Sequence, residues 1–233
     1  MEYIFSEEDR KDFLPSVKMA IVTKKDINAG IDLETAFRCG YLDVARAPLR
    51  GINIALQKKN RNTSSKIIRD KCIKDFIIPD MNMLFNNEID YDGWHQDLCE
   101  KIFVFYKNNG YDLFTVGKAQ KWINMSIKYA CLYDYDHQSQ LSKYMDVFHV
   151  PIDRYIANPL ANKLHIKPPC YEKDDLDIFD ADKKNYSWSN INDYDDYLIC
   201  QKEIRGHADV LNKYENSPLR WEFDAWKKER DSK

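Results

Sequence analysis

The sequence predicts an all-α protein, a compact helical fold over residues 1–233 that is one large domain or two intimate lobes. Three observations carry that reading. Apolar residues recur at helical rather than alternating spacing, as in Trp94, Leu98, Ile102 and Phe105. Serines, threonines and aspartates stand at the starts of such runs, where a side-chain oxygen can take up an orphan backbone N–H. Seven glycines in 233 residues are also few for a β-rich chain with many tight turns.

The elements follow in order. A first helix begins after Ser6, with Glu7, Glu8 and Asp9 favourably placed against the helix dipole, and Pro15 disturbs it. Asp32 starts a second helix towards Ala47, and Pro48 a third that ends near Asn60. Thr63 or Ser64 caps the next, on which Ile68, Cys72 and Phe76 fall four apart until Pro79 ends the run. A helix from Asp92, closed by Asn109-Gly110, is followed by a short connection to Gly117 and a further helix carrying Trp122, Met125, Tyr129 and Leu132 on one stripe. Together these form a helix-hairpin-helix element at about 92–134. The polar stretch Asp134 to Asp146 reads as a surface excursion. Asp153 opens a helix that Pro159 interrupts, and an acidic crossing segment follows at about 167–187. Terminal helices fill 189–230, the last from Ser217-Pro218, a cap followed by proline at the first helical position.

Composition narrows the function classes. No apolar run has the length of a membrane span, and the start Met1-Glu2-Tyr3-Ile4-Phe5 lacks the basic-then-apolar layout of a signal peptide, so a cytoplasmic protein is expected. The six cysteines are scattered without a CxxC pair or a four-cysteine cluster. They read as reduced core thiols, and no metal or cofactor is implied. The net charge of −3 hides an uneven distribution. Between Ala45 and Phe76 nine basic residues (Arg46, Arg50, Lys58, Lys59, Arg61, Lys66, Arg69, Lys71 and Lys74) outnumber Asp70 and Asp75, for a net +7. Between Cys170 and Cys200 nine acidic residues outnumber three lysines, for a net −6. A basic lobe of this kind suits phosphates despite the acidic total, although a solvated helix pair has the same composition.

Two strings carry chemistry. Val116 to Asn124 (VGKAQKWIN) reads as a glycine turn opening a helix with a lysine in its first turn. His149 to Ile156 (HVPIDRYI) reads as an apolar step into a helix capped by Asp153. A lysine amine attacks an anomeric carbon, and a carboxylate stabilises the positive charge developing on the sugar, which are the two requirements for cutting an N-glycosidic bond. Taken singly, Asp153 reads as a plain N-cap and Lys121 as a solvent lysine; the pair in this order is what points to catalysis.

On these residues the chain resembles the helix-hairpin-helix (HhH-GPD) DNA glycosylases, especially their 8-oxoguanine glycosylase branch. Lys121-Trp122-Ile123-Asn124 matches the family's Lys-x-x-Asn/Asp helix, and Val150-Pro151-Ile152-Asp153 its Val-Pro-Val-Asp step; the match covers roughly Tyr106 to Ile156. The resemblance implies Lys121 as the nucleophile that forms a Schiff base and Asp153 as the essential carboxylate. It implies Gly117 in a hairpin that cradles a DNA phosphate, with Lys118 as a rival nucleophile. Met125 would look into the pocket for a flipped base, and His149 would help orient Asp153. Trp122, Trp94, His95, Trp188, Trp221 and Trp226 are further wall or wedge candidates, with core packing the competing role. Lys58, Lys59 and Arg61 would hold phosphates beside the cleft, making duplex DNA the expected partner. Only the second of the family's two hairpin glycines is kept here, and the Lys-to-Asp separation is longer.

Three functions therefore compete: a base-excision glycosylase with or without abasic-site lyase activity, a helical nucleic-acid-binding or interaction module without chemistry, and a defence-system accessory enzyme acting on modified phage bases or nucleotides.

Overall fold

The computed structural model describes residues 4–14, 22–45, 49, 51–171, 179–181 and 186–232, and among them every regular element is helical. Expectations on Pro15, Arg46, Pro48 and Arg50, and on Glu172, Asp174, Asp175, Asp177 and Asp182, lie outside the described residues.

In chain order the helices are α1 (Glu7–Phe13), α2 (Lys24–Ala29), α3 (Leu33–Val44), α4 (Ile52–Lys59), α5 (Ser65–Cys72), α6 (Ile78–Asn86), α7 (Tyr91–Asn108), α8 (Val116–Tyr133), α9 (Gln138–Leu141), α10 (Arg154–Lys163), α11 (Tyr194–Gly206), α12 (Ala208–Leu211) and α13 (Pro218–Asp231). Backbone contacts divide the chain into two units: residues 1–114 with 122–143, and residues 115–121 with 144–233.

In the first unit three caps are those the sequence predicts, whereas α7 is capped by Asp90, ahead of the expected Asp92, and α4 follows Gly51 without a side-chain cap. Ser6, Asp32 and Ser64 each accept an N–H from the first turn of α1, α3 and α5. Helix α2 is an addition to the expected elements; Thr23 and Asp26 form a reciprocal capping box at its start. Pro79 does not end the run from Ser65. Between α5 and α6 the chain widens into a π-turn, Ile73–Ile77, in which the Ile78 N–H donates to the Ile73 carbonyl. Pro79 then falls in the first turn of α6, where its missing N–H is not required.

Trp122 anchors this unit's core. It is fully buried, its indole N–H donates to the Phe37 carbonyl (2.8 Å), and its ring meets Tyr41 and Tyr106 edge-on. Asn124 pins α8 to α7 through the His95 ring at 3.0 Å. The stretch 134–146 is only partly a surface excursion. Gln138 is buried and its amide donates to the carbonyls of Ala130, Cys131 and Asp134, so this polar residue closes the end of α8.

The second unit packs α10, α11 and α13 around Val150, Ile152, Ile156, Leu160, Ile191, Tyr197, Ile204 and Trp221. Pro159 lies inside α10 rather than interrupting it. The buried face formed by Ile156, Leu160 and Ala161 compensates for one missing backbone bond. The helix expected from Ser189 begins at Tyr194, preceded by a 3₁₀ turn at Trp188–Asn190, whereas Ser217 caps α13 as predicted. Five cysteines are buried and Cys170 is exposed, and none of the six is in a disulfide.

Two glycines are fixed by close approach. A Cβ on Gly40 would meet the Ser126 hydroxyl at 2.2 Å and its backbone N at 2.8 Å, and one on Gly117 would meet the Trp188 carbonyl oxygen at 2.1 Å. Gly206 has open space around it. Gly40→Ala and Gly117→Ala should therefore each lose about 1–3 kcal/mol or more in urea unfolding. Gly206→Ala should gain up to about 1 kcal/mol, because alanine is the better helix former. Equal effects at the three sites would contradict this account.

Candidate functional site

Helix α8 begins at Val116, earlier than the sequence implied. The Thr115 carbonyl accepts from Lys118 and Ala119, and the Thr115 hydroxyl lies 3.3 Å from the Lys118 N–H. Gly117 is thus the second residue of the helix and not part of a turn. The left-handed glycine of the connection is Gly110, at φ 91°. Gly117 donates its N–H to the Ile191 carbonyl at 2.8 Å, and the Thr115 hydroxyl donates to Ser189 at 2.7 Å. These bonds fix the Trp188–Asn190 turn against the start of α8, which explains the glycine by backbone packing.

The early start also moves the lysines. Lys118 is in the first turn, and Lys121 is one turn further on. There Lys121 Nζ meets Asp153 Oδ2 at 2.6 Å, with only 9% and 13% of the two side chains exposed. The other oxygen, Oδ1, accepts the N–H groups of Tyr155 (2.8 Å) and Ile156 (3.2 Å), so Asp153 caps α10 while it pairs with the lysine. The indole of Trp188 lies over the ammonium at 4.6 Å from its centroid, a cation–π contact that replaces part of the lost hydration. The site is therefore a nearly dry ammonium–carboxylate pair with an aromatic face over the cation, carried by helices on both sides.

The neighbouring groups take distinct parts. Lys118 is buried, and desolvation holds its amine below the usual lysine range. The Asp153 oxygen is nonetheless taken by Lys121. His149 is buried and shares a hydrogen bond with the Tyr197 hydroxyl at 3.1 Å, across an edge-on ring contact. Tyr186 is half-buried, but its hydroxyl oxygen is shut off from solvent without a hydrogen-bond partner among the described residues. Burial pushes that phenol well above its ordinary pKa, with Cys200, Cys170 and Asp153 adding to the effect.

Most of the other expected site residues belong to the first unit. Trp122 is core, Trp94 is buried with its indole N–H on the Asp80 carbonyl, and Met125 is half-buried. Lys58, Lys59 and Arg61 are exposed, and Lys59 reaches the Asn108 carbonyl beside Gly110. Arg69 departs from the expected basic face. It is buried, paired with Asp70 at 2.7 Å, and stacked over Tyr41. In the second unit Trp221 is core and Trp226 is partly buried against it. Two residues at the site carried no sequence signal, Gln120 and Gln201; the aromatic that touches the lysine, Trp188, was one candidate among several.

Among the described residues no group of three histidine, cysteine or acidic side chains is placed to hold a metal, and no helix is long and apolar enough to cross a membrane. The chain matches no protein-family model, no curated protein and no solved structure.

The lowered Lys118 pKa predicts a pH dependence. Between the folded and unfolded pKa values the unfolded chain holds more protons, so stability rises with pH across that window. Lys118→Met, which removes the buried charge, should be more stable than the parent at neutral pH. Its advantage should shrink as pH approaches ~10.4, the ordinary lysine value. Urea titrations at several pH values check this, and a pH-independent advantage would refute it.

Proposed function

We propose that the protein is a DNA N-glycosylase that works on an extrahelical base, with Lys121 as nucleophile and Asp153 as the stabilising carboxylate. The single observation that carries the proposal is the dry Lys121–Asp153 pair. Lys121 Nζ and Asp153 Oδ2 are held at 2.6 Å, with the Asp153 carboxylate fixed further by two backbone N–H groups. Such a carboxylate offers negative charge where an oxocarbenium ion develops, in a setting with little water to screen it. The Lys121 ammonium must give up its proton before it can attack; Asp153 is the acceptor in contact with it and passes that proton to the departing base, which restores the carboxylate charge as positive charge develops on the sugar. Attack by the neutral amine forms the N–C1′ bond as the C1′–base bond breaks and the base leaves protonated; transfer of a proton from the attacking nitrogen to the ring oxygen then opens the sugar and leaves a protonated imine on the lysine. The aromatic face of Trp188 suits a planar base.

Borohydride trapping on duplex oligonucleotides carrying candidate lesions or an abasic site tests the chemistry. Trapping should be abolished by Lys121→Gln. Asp153→Asn should keep most of the cap and lose base release. Full activity of Lys121→Gln on a trapped substrate would end the assignment, and a dead Lys118→Gln would transfer the nucleophile's role to Lys118.

The exposed Lys58, Lys59 and Arg61 support duplex DNA as partner. Changing all three to glutamate should weaken binding across sequences. It should also reduce the slope of log affinity against log salt by roughly 2–3, because each lost phosphate contact contributes ~0.9. Unchanged affinity at low salt would remove this support.

A second reading has its own observation. Gly117 spends its N–H on Ile191 instead of leaving it open to a phosphate, which suits a helical binding module in which Lys121–Asp153 is only a strut. A wild-type protein that binds DNA but traps on none of the probes would favour it.

A further inference from the structure

We infer that Gln201 and Gln120 are positioning residues for the Asp153 carboxylate. The inference takes from the glycosylase proposal only that Lys121 and Asp153 are the working pair.

The step Val150-Pro151-Ile152 leading to Asp153 is not helical, and it is buried, with Val150 and Ile152 fully shielded from solvent. Its backbone polar groups need partners that water cannot supply, and no strand is present among the described residues to pair with it. Pro151 has no N–H to offer. Gln201, on α11 and 1% exposed, fills the place of a strand. Its Oε1 accepts the Val150 N–H at 2.9 Å, and its Nε2 donates to the Val150 carbonyl at 3.0 Å. One carboxamide thus satisfies both backbone groups of one residue, which fixes the peptide planes on either side of it.

Gln120, wholly buried on α8, makes the complementary link. Its Nε2 lies 3.2 Å from the Ile152 carbonyl and 3.1 Å from that of Gly117. Gln120 directly precedes Lys121, and Ile152 directly precedes Asp153. The two helices that carry the ion pair are therefore tied together one residue before each partner. Displacement of either tie moves the carboxylate relative to the amine, and a misplacement on the order of 1 Å is enough to slow a positioned reaction about a hundredfold.

The test uses the full chain with Gln201→Met and, separately, Gln120→Met, which removes a single tie and so tolerates folding better. The probe is a duplex oligonucleotide with one abasic site, and the readouts are its binding affinity, the single-turnover borohydride-trapping rate, and hydrogen exchange at the Tyr155 and Ile156 amides. Folded variants should bind the duplex as the parent does and trap roughly ten- to a hundredfold more slowly. Protection should fall at Tyr155 and Ile156, which Asp153 caps, and stay at parental levels in α13. The exchange readout needs no substrate. If the parent itself fails to trap, the nucleophile proposal falls while selective loss of protection still upholds the positioning role. Parental protection at Tyr155 and Ile156 in folded variants, or protection lost equally throughout α13, overturns the inference.

Discussion

The Asp153 carboxylate is asked to do two things at once, and the second unit is arranged around that demand. One oxygen starts α10 by capping two N–H groups, and the other neutralises a lysine that is almost out of water. Removing one partner of a buried ion pair typically costs about 3–5 kcal/mol, against about 1 kcal/mol for a cap alone. The pair is therefore the larger debt, and its geometry constrains its surroundings. Trp188 must face the ammonium, so its turn is bonded to Thr115 and Gly117, and position 117 has no room for a side chain. The glycine that looked like part of a phosphate cradle is thus explained one step back from the chemistry.

What could be read from the sequence was what depends on neighbours along the chain. Ser6, Asp32, Ser64, Asp153 and Ser217 all cap helices, because a cap is settled within four residues. The lysine and the aspartate were legible as a pair because each sits in a recognisable local setting. Prolines 79 and 159 were misread for the opposite reason. Their effect on a helix is local, but the burial of Met81 and Leu84 on α6 and of Ile156 and Leu160 on α10 is decided by packing. At Pro79 the chain adds a π-turn; at Pro159 it gives up one hydrogen bond.

Trp122 and Arg69 show the same limit at single residues. Tryptophan serves in binding surfaces and in interiors, and arginine enters an interior when it finds partners there. Trp122 is drawn inward by a carbonyl of α3, 85 positions earlier in the chain, and Arg69 by Asp70 and the ring of Tyr41. Nothing in a helical period distinguishes an arginine that stacks on a buried tyrosine from one that waits for a phosphate. Among the cations that stay exposed, Lys58 and Lys59 lie in the last turn of α4 and Arg61 just beyond it, where positive charge is favourable to the helix and solvated.

A helical protein still has extended segments, and this one supports them with carboxamides. Asn162 brackets Phe179 through its N–H (3.0 Å) and carbonyl (2.7 Å), as Gln201 brackets Val150, and Asn158 accepts the N–H of Ala181 at 2.8 Å. Each amide projects from a helix; Asn162 and Gln201 reproduce the donor–acceptor pair that a neighbouring strand would supply, and Asn158 supplies the acceptor while its amide nitrogen donates to Glu229. The irregular chain therefore takes its position from α10 and α11 and imposes none on them. This arrangement suits a site that must hold an amine and a carboxylate at a fixed separation. Lys121 rides on α8 and Asp153 ends a step clamped by α8 and α11, so side chains with few rotamers left to choose determine where the charges meet.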